Sequence, residues 1–201
     1  FLSDEICSGL NSRRGVSSIK KLSPVLPVLS HKNMEVPFIT CEEMLQYNEG
    51  RNLELWELAM HYESARGNIP KQEVFEKMKR IVQLLHRSIL KGIEGTSFEN
   101  RILGYQSGSF KTQMEKKNLL NGGLLNQIVL YVTAMMEVKS SMGVIVAAPT
   151  AGACGALPGT SLGAATALGL SEDEATKGML AAGMIGVFIA AHSTFAAEVG
   201  G

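Results

Sequence analysis

The sequence predicts an all-α fold, a helical domain with a buried, apolar and glycine-rich C-terminal helix region. Strand-like alternation of apolar and polar residues is almost absent, whereas apolar residues recur at helical spacing over long stretches. Two capping boxes, in which a hydroxyl and a carboxylate satisfy free backbone donors, mark where helices begin. Residues 1–36 are predicted to be a connecting segment, and residues 37–201 a single domain without internal repeats.

The first helices follow from their caps. The box Thr40-Cys41-Glu42-Glu43 opens a helix that runs to Met60 and is weakened near Gly50. Pro70 suits the first turn of the next helix. Apolar residues then mark one face of that helix, at Val74, Met78, Ile81, Leu85 and Ile89. Residues 92–110 are predicted to be a loop.

The second half of the chain is more apolar. A helix is predicted from Lys111 to Glu137, weakened at the Gly122-Gly123 pair; its second half is apolar nearly all round and should be central and buried. The box beginning at Ser171 starts a long helix that continues to Phe195. No element is assigned to residues 160–169.

Charge and cysteine content narrow the class of protein. Nineteen basic and nineteen acidic residues give a net charge of zero, which argues against bulk electrostatic binding of nucleic acid or anionic membrane. Three widely spaced cysteines without a CxxC pair favour a reducing compartment, and no signal peptide is visible, so a cytoplasmic location is expected.

The charges are concentrated in the first part of the chain. Residues 140–201 hold only 5 of the 38 charged residues but 11 of the 21 glycines. Such a region must be buried in its own core or against another subunit. Gly178, Ala182 and Gly186 give the last helix a smooth face, which suits a dense core or a membrane. The acidic start of this helix and His192 near its end favour the core.

Histidines and carboxylates give weaker signals. His61 and His86 lie on predicted helices beside charged residues, and no HExxH or His/Cys metal spacing occurs. Surface positions are the simplest interpretation. His192 closes an apolar helix, so a buried structural histidine and a site residue both remain open.

Cys154 is the strongest candidate for chemistry. It lies in a run of small residues between Pro149 and Pro158, and small neighbours leave room for a bulky group to approach the sulfur. A cysteine that only packs has no need of this clearance. The loop therefore predicts a functional site.

The run from Ser140 through Gly155, SSMGVIVAAPTAGACG, closely resembles the first signature of the iron–sulfur L-serine dehydratases, in the alpha subunit or alpha domain. The segment His192–Gly201 is similar to the approach to that family's second cysteine signature. The likeness covers roughly residues 37–201. Ala151 stands where many relatives carry Asn.

The resemblance implies a helical alpha domain of an L-serine ammonia-lyase that forms pyruvate and ammonia with a 4Fe–4S cluster acting as Lewis acid. Cys154 would be one thiolate ligand. Two further cysteines would follow the second signature, so the chain alone should lack the cluster and be inactive.

Partners and substrate contacts also follow from the resemblance. Residues 1–36 would be a linker or the tail of a beta domain, and a beta subunit or beta domain would complete the active site and supply the unassigned general base. The expected substrate-binding residues are Ser140, Ser141, Thr150, Ala151 and Gly152, through hydroxyl groups or a nest of backbone N–H groups.

Two alternatives remain open. One is a related cluster-dependent lyase that expels sulfide from L-cysteine. The other is a non-catalytic helical oligomerisation module. In each case the apolar C-terminal region leads us to expect a homo-oligomer, with no nucleic-acid or membrane partner.

Overall fold

The computed structural model describes residues 4–19, 28, 34–102, 104–146 and 153–193. These residues form eight helices and no strand, which confirms the all-α prediction. In chain order the helices are α1 (Asp4–Asn11), α2 (Cys41–Asn48), α3 (Leu55–Gly67), α4 (Lys71–Glu94), α5 (Ser107–Glu115), α6 (Leu124–Ser140), α7 (Ala156–Ala167) and α8 (Glu172–His192).

Helix α6 is central, as its apolar sequence predicts. It packs against α4, α5 and α7, while α8 crosses α3, α4 and α7. Around α6 lies one apolar cluster, which includes the fully buried Ile89 and Met135. A second cluster joins α2, α3, α4 and α8 around Phe38, Leu58 and Met184.

Both predicted capping boxes are present. The Thr40 hydroxyl accepts a hydrogen bond from the Glu43 backbone N–H at 3.2 Å, and Ser171 accepts one from Glu174 at 3.3 Å. Each carboxylate in turn accepts from the N–H of its cap residue. The Ile39 backbone N–H also donates to the Glu43 carboxylate, at 2.6 Å. This bond and then the one from Thr40 hold the pKa of Glu43 below the ordinary value, and the bonds from Ser171 do the same for Glu174, since they stabilise the ionised form.

Several predicted boundaries are wrong. The helix predicted for residues 111–137 is two helices, because the chain turns between α5 and α6 and Gly123 has φ of +46°. The helix predicted for residues 40–60 is divided into α2 and α3 near Gly50, which has φ of +71°, and the predicted break at this glycine is confirmed. Helix α1 lies within the segment predicted to be a linker, and α7 covers most of residues 160–169.

Helix α7 has low intrinsic helix propensity and is stabilised by its packing on α6. Gly155, Gly159 and Gly163 follow one another at intervals of four and face α6. A Cβ at Gly159 would lie 2.7 Å from the backbone N of Val132, and one at Gly163 would lie 2.9 Å from the Cα of Ile128. Only glycine permits the two helices to lie this close.

Helix α8 is buried along one face only. Met179, Leu180 and Met184 are buried, whereas Ile185 and Ile189 are about half exposed, at 49% and 55%. The predicted burial of the C-terminal helix region is confirmed for the inward faces of α7 and α8, while the face of α8 that carries Ile185 and Ile189 is uncovered in this chain alone.

The small-residue face predicted on α8 meets no neighbour in the described residues, since a Cβ added at Gly178 or Gly186 would find no atom within 4 Å. By length and composition α8 is apolar enough to cross a membrane. Helix α8 packs instead on α3 and α4, with the Lys79–Asp173 ion pair at its N-terminal end, at 2.7 Å, as expected of a core helix. Phe195, the predicted end of the helix, lies outside the described residues.

Candidate functional site

Cys154 lies in the turn that leads into α7, and its side chain is fully buried. The turn continues into the helix without a side-chain cap: Leu157 N–H donates to the Ala153 carbonyl at 3.3 Å, and Gly159 N–H to the Gly155 carbonyl at 2.9 Å. Cys154 is thus held at the N-terminal end of a helix, where backbone donors gather.

Helix α6 fixes the position of this turn. A Cβ at Gly155 would lie 2.7 Å from the Met136 sulfur and 3.5 Å from the Val132 carbonyl oxygen. The residue after Cys154 therefore lies directly on the last turns of α6. Met136 precedes Ser140 by one helical turn, so the contact places the Cys154 turn on the part of α6 that leads to Ser140.

Ser140 and Ser141 end α6, and both hydroxyls donate back to it. Ser140 Oγ donates to the Met136 carbonyl at 2.9 Å, and Ser141 Oγ to the Val138 carbonyl at 3.0 Å. Their oxygen lone pairs remain able to accept. To donate to a substrate carboxylate, as the resemblance implies, each hydroxyl would have to rotate away from its carbonyl.

Three of the predicted substrate-binding residues, Thr150, Ala151 and Gly152, lie outside the described residues. Their assignment therefore stays a prediction. The segment before them is tied to α4, because the buried Ser88 hydroxyl donates to the Val144 carbonyl at 2.7 Å.

A cavity of about 420 Å³ opens beside Ser140. We call it the α6 cavity. Helix α6 contributes Thr133, Met136, Glu137 and Ser140 to its wall. The segment before α5 contributes the rest, including Phe98, Arg101, Ile102 and Gln106.

Glu137 is the buried acid of this cavity, at 9% exposure. Its Oε1 accepts from the backbone N–H groups of Gln106, at 2.7 Å, and Ser107, at 3.3 Å. The Ser107 hydroxyl lies 2.6 Å from Oε2 and 2.9 Å from the Gly92 carbonyl. Glu137 thus supplies from another helix the N-terminal cap that α5 lacks in its own sequence.

Arg101 faces this carboxylate, with Nη2 3.4 Å from Glu137 Oε1. Its Nη1 donates to the Thr96 carbonyl at 2.7 Å and to the Thr96 hydroxyl at 3.1 Å. The guanidinium also lies over the rings of Phe98, at 5.0 Å, and Tyr105, at 5.9 Å. Carbonyl, hydroxyl and aromatic contacts therefore hold the cation at the cavity wall.

Sequence reasoning missed both charges of the cavity. Arg101 lies in a segment predicted only to be a loop. Glu137 did carry a usable signal, since it is the one acid in the apolar stretch from Leu124 to Val138. An isolated acid on a buried helix needs buried partners.

The remaining candidates lie elsewhere. His61 Nδ1 is 2.8 Å from the Tyr47 hydroxyl and its Nε2 is 2.7 Å from Lys71 Nζ. Burial and then the Lys71 charge lower the pKa of His61, so a neutral ring accepts from the lysine. This is a structural cluster, as expected of a histidine without a site.

His86 and His192 are exposed, which makes the buried interpretation of His192 wrong. Cys41 is exposed on α2. His31 lies outside the described residues. Within the described ranges no group of three His, Cys, Asp or Glu side chains is arranged to hold a metal ion.

The chain resembles known proteins over most of its length. Residues 50–201 match the family model of the serine dehydratase alpha chain. The chain is 23% identical over 164 residues to the probable L-serine dehydratase, alpha chain, of Bacillus subtilis (strain 168). These residues are 82% of this chain and 55% of the relative. It is 25% identical over 164 residues to the L-serine dehydratase, alpha chain, of Peptoniphilus asaccharolyticus, covering 81% and 56%.

The chain spans about half the length of the curated relatives it matches. No solved structure matches it. The family match covers the Cys154 turn, α6 and the α6 cavity, and it extends over three quarters of the sequence. The chain therefore belongs to the serine dehydratase alpha chain family.

Proposed function

We propose that this chain is the alpha part of an L-serine ammonia-lyase that converts L-serine to pyruvate and ammonia. The observation that carries the proposal is the family match over residues 50–201, which includes the Cys154 turn packed on the serine-bearing end of α6. The reaction breaks the Cα–H and Cβ–O bonds of serine and releases water. The resulting aminoacrylate tautomerises to an imine, which water hydrolyses to pyruvate and ammonia.

The chain's own residues would bind and orient the substrate. Ser140 is exposed at the mouth of the α6 cavity, and Ser141 is half-buried beside it. Each hydroxyl can exchange its hydrogen bond to a backbone carbonyl for one to a substrate carboxylate, and the two hydrogen bonds have similar geometry. Thr150 and the backbone of Ala151 and Gly152 would add further donors.

A 4Fe–4S cluster remains part of the proposal, with Cys154 as one of its thiolate ligands. The described residues by themselves do not fit such a cluster, because a cubane needs several thiolates and no group of three metal-binding side chains is found among them. No step of the reaction is assigned to the cluster on this basis. The other ligands would have to lie outside the described residues.

The proposed enzyme also needs partners. We propose that a beta subunit or beta domain completes the active site and supplies the base, and that the exposed apolar face of α8 packs against a second copy of the chain. The free cysteines Cys41 and Cys154 suit a reducing cytoplasm.

The direct test is the product formed by the anaerobically prepared full-length enzyme together with its beta part. We expect pyruvate from L-serine and no sulfide from L-cysteine. Sulfide together with pyruvate from L-cysteine, and no pyruvate from L-serine, would establish the desulfidase alternative. Formation of no pyruvate from either amino acid would contradict a lyase.

Paired serine variants test the substrate contact. Ser140→Ala should raise KM about tenfold, since it removes a donor to a charged group. Ser193→Ala is the matched control: this hydroxyl also donates to the carbonyl four residues earlier, at 2.8 Å, but at the end of α8 and away from the cavity lining. Equal kinetics for the two variants would remove Ser140 from the substrate site.

A further inference from the structure

The α6 cavity has the charges of an amino-acid site. We propose that it binds the backbone of a free α-amino acid, with Arg101 contacting the carboxylate and Glu137 the ammonium group. The identity of that amino acid as L-serine rests on the proposed function. The zwitterion-binding role of the cavity does not, because it follows from the charges and walls described below.

The balance of charge selects the class of ligand. The cavity wall carries one guanidinium and one carboxylate, both largely buried, with side-chain exposures of 18% and 10%. A zwitterion finds an opposite charge for each of its ends and adds no net charge to the site. A phosphate or dicarboxylate would meet Glu137, and a simple amine would meet Arg101, each without a balancing partner.

Glu137 is fixed in the orientation that a ligand needs. Two backbone N–H groups on Oε1 and the Ser107 hydroxyl on Oε2 prevent the carboxylate from turning. A carboxylate has about four acceptor positions, and these three bonds leave one of them for an ammonium group. A preorganised acceptor of this kind loses little entropy when a ligand binds.

Arg101 is held mainly by groups other than its acidic neighbour. Its 3.4 Å separation from Glu137 exceeds the 2.7–2.9 Å of a tight charge-assisted hydrogen bond. Thr96 and two aromatic rings keep the guanidinium in place independently. Replacing the 3.4 Å contact with Glu137 by a contact with an incoming carboxylate therefore breaks no tight charge-assisted hydrogen bond between these two side chains.

The dimensions and walls suit a small amino acid. A volume of about 420 Å³ lies in the range of small-molecule sites. Phe98, Ile102 and Met136 form apolar walls, while the hydroxyl of Thr133 can meet a polar side chain. Met136 also contacts Gly155, so a ligand in the cavity would be separated from the Cys154 turn by one side chain.

Methyl NMR on the unaltered full chain tests the site without any substitution that could unfold it. With ¹³C-methyl methionine, L-serine should shift the Met136 resonance and leave that of Met44, in the second apolar cluster, unchanged. L-Alanine keeps both charges and should also bind. Glycerate lacks the ammonium group and ethanolamine the carboxylate, so each should bind at least about tenfold more weakly. Absence of a Met136 shift, or glycerate and ethanolamine binding as well as L-serine, would overturn the proposal.

Charge variants then test the two contacts. Arg101→Met and Glu137→Gln should each weaken L-serine binding at least about tenfold, as judged by calorimetry. The control is the ion pair of α3, Arg66 and Glu63 at 2.6 Å, whose Arg66→Met and Glu63→Gln variants should bind L-serine like the unaltered chain. Equal losses in both pairs would indicate general destabilisation and contradict the site.

The two proposals can fail separately. Amino-acid binding at Met136 with no pyruvate from the complete enzyme would reject the lyase and retain the cavity. Pyruvate formation with an unchanged KM in the folded Arg101→Met variant would reject the cavity and retain the lyase.

Discussion

The glycine contact between α6 and α7 gives the sharpest stability prediction. Gly159→Ala places a Cβ 2.5 Å from the Val132 Cγ2 atom and 2.7 Å from the Val132 backbone N and Cα atoms. Ordinary contact begins at 3.4 Å. A side-chain methyl can rotate away, but backbone atoms in the centre of α6 can move only if the whole helix shifts.

Two opposing terms set the size of the effect. Overpacking of this kind costs typically about 1–3 kcal/mol, and the backbone contact favours the upper part of that range. Alanine in a helix interior returns about 1 kcal/mol relative to glycine. We therefore expect a net loss of about 1–2 kcal/mol in the free energy of unfolding, or a Tm lower by about 2–8 °C for a chain of this size.

Thermal and urea unfolding followed by circular dichroism measures this loss. Gly178→Ala is the matched control on α8, because a Cβ there meets no atom within 4 Å. It should stabilise the chain by about 0.5–1 kcal/mol. The two substitutions are chemically identical and should have opposite signs. If Gly159→Ala is as stable as the unaltered chain, the close helix contact is refuted.

Three further predictions concern the thiol, acid stability and association. In the complete, anaerobically reconstituted enzyme, Cys154→Ser should abolish iron and sulfide content. Cys41→Ser, at an exposed position, should leave both unchanged. The 201-residue chain alone should be colourless and inactive. Glu174 has a pKa below its ordinary 4.5 because Ser171 donates hydrogen bonds to its carboxylate. Its contribution to stability is therefore present above pH 4.5 and is lost as the pH falls through the folded-state pKa. Glu174→Gln should flatten this part of the stability–pH curve. The chain should form a dimer through α8 that Ile189→Asp dissociates, as measured by size exclusion with light scattering.

Each of these has a clear opposing result. Wild-type iron content in Cys154→Ser would remove the cysteine from the ligand set. An unchanged acid transition in Glu174→Gln would mean that the capping carboxylate is equally acidic in the unfolded chain. A strictly monomeric unaltered chain would require abandoning the α8 interface.

The local features of the fold could be predicted because their partners are close in the sequence. The boxes at Thr40 and Ser171 join residues three apart, and the apolar character of Leu124–Val138 identified the central helix. Helix α7 was missed because its stabilising partners are distant in the sequence. Its glycines and Pro158 are poor helix formers, and only packing on α6 makes the helix favourable.

The α6 cavity could not be predicted, because it depends on contacts between distant residues. Glu137 caps α5 from 30 residues away, and Arg101 meets it from a segment without periodic signal. Nothing local in α5 indicates this, since its own N-terminal residue Gln106 makes no side-chain cap. A single acid within an apolar helix sequence indicates that the acid has a partner, but it does not indicate which residue that partner is.

By itself, the sequence determined the helical class, the two capped helix starts and the Cys154 signature that led to the family. All of these are encoded over short separations, where backbone geometry fixes which residues meet. The tertiary structure alone decided the glycine contact that holds the Cys154 turn on α6, the charged cavity beside it and the exposed apolar face of α8. These depend on which helix faces meet, and that choice is made by packing the whole core at once rather than by any local pattern.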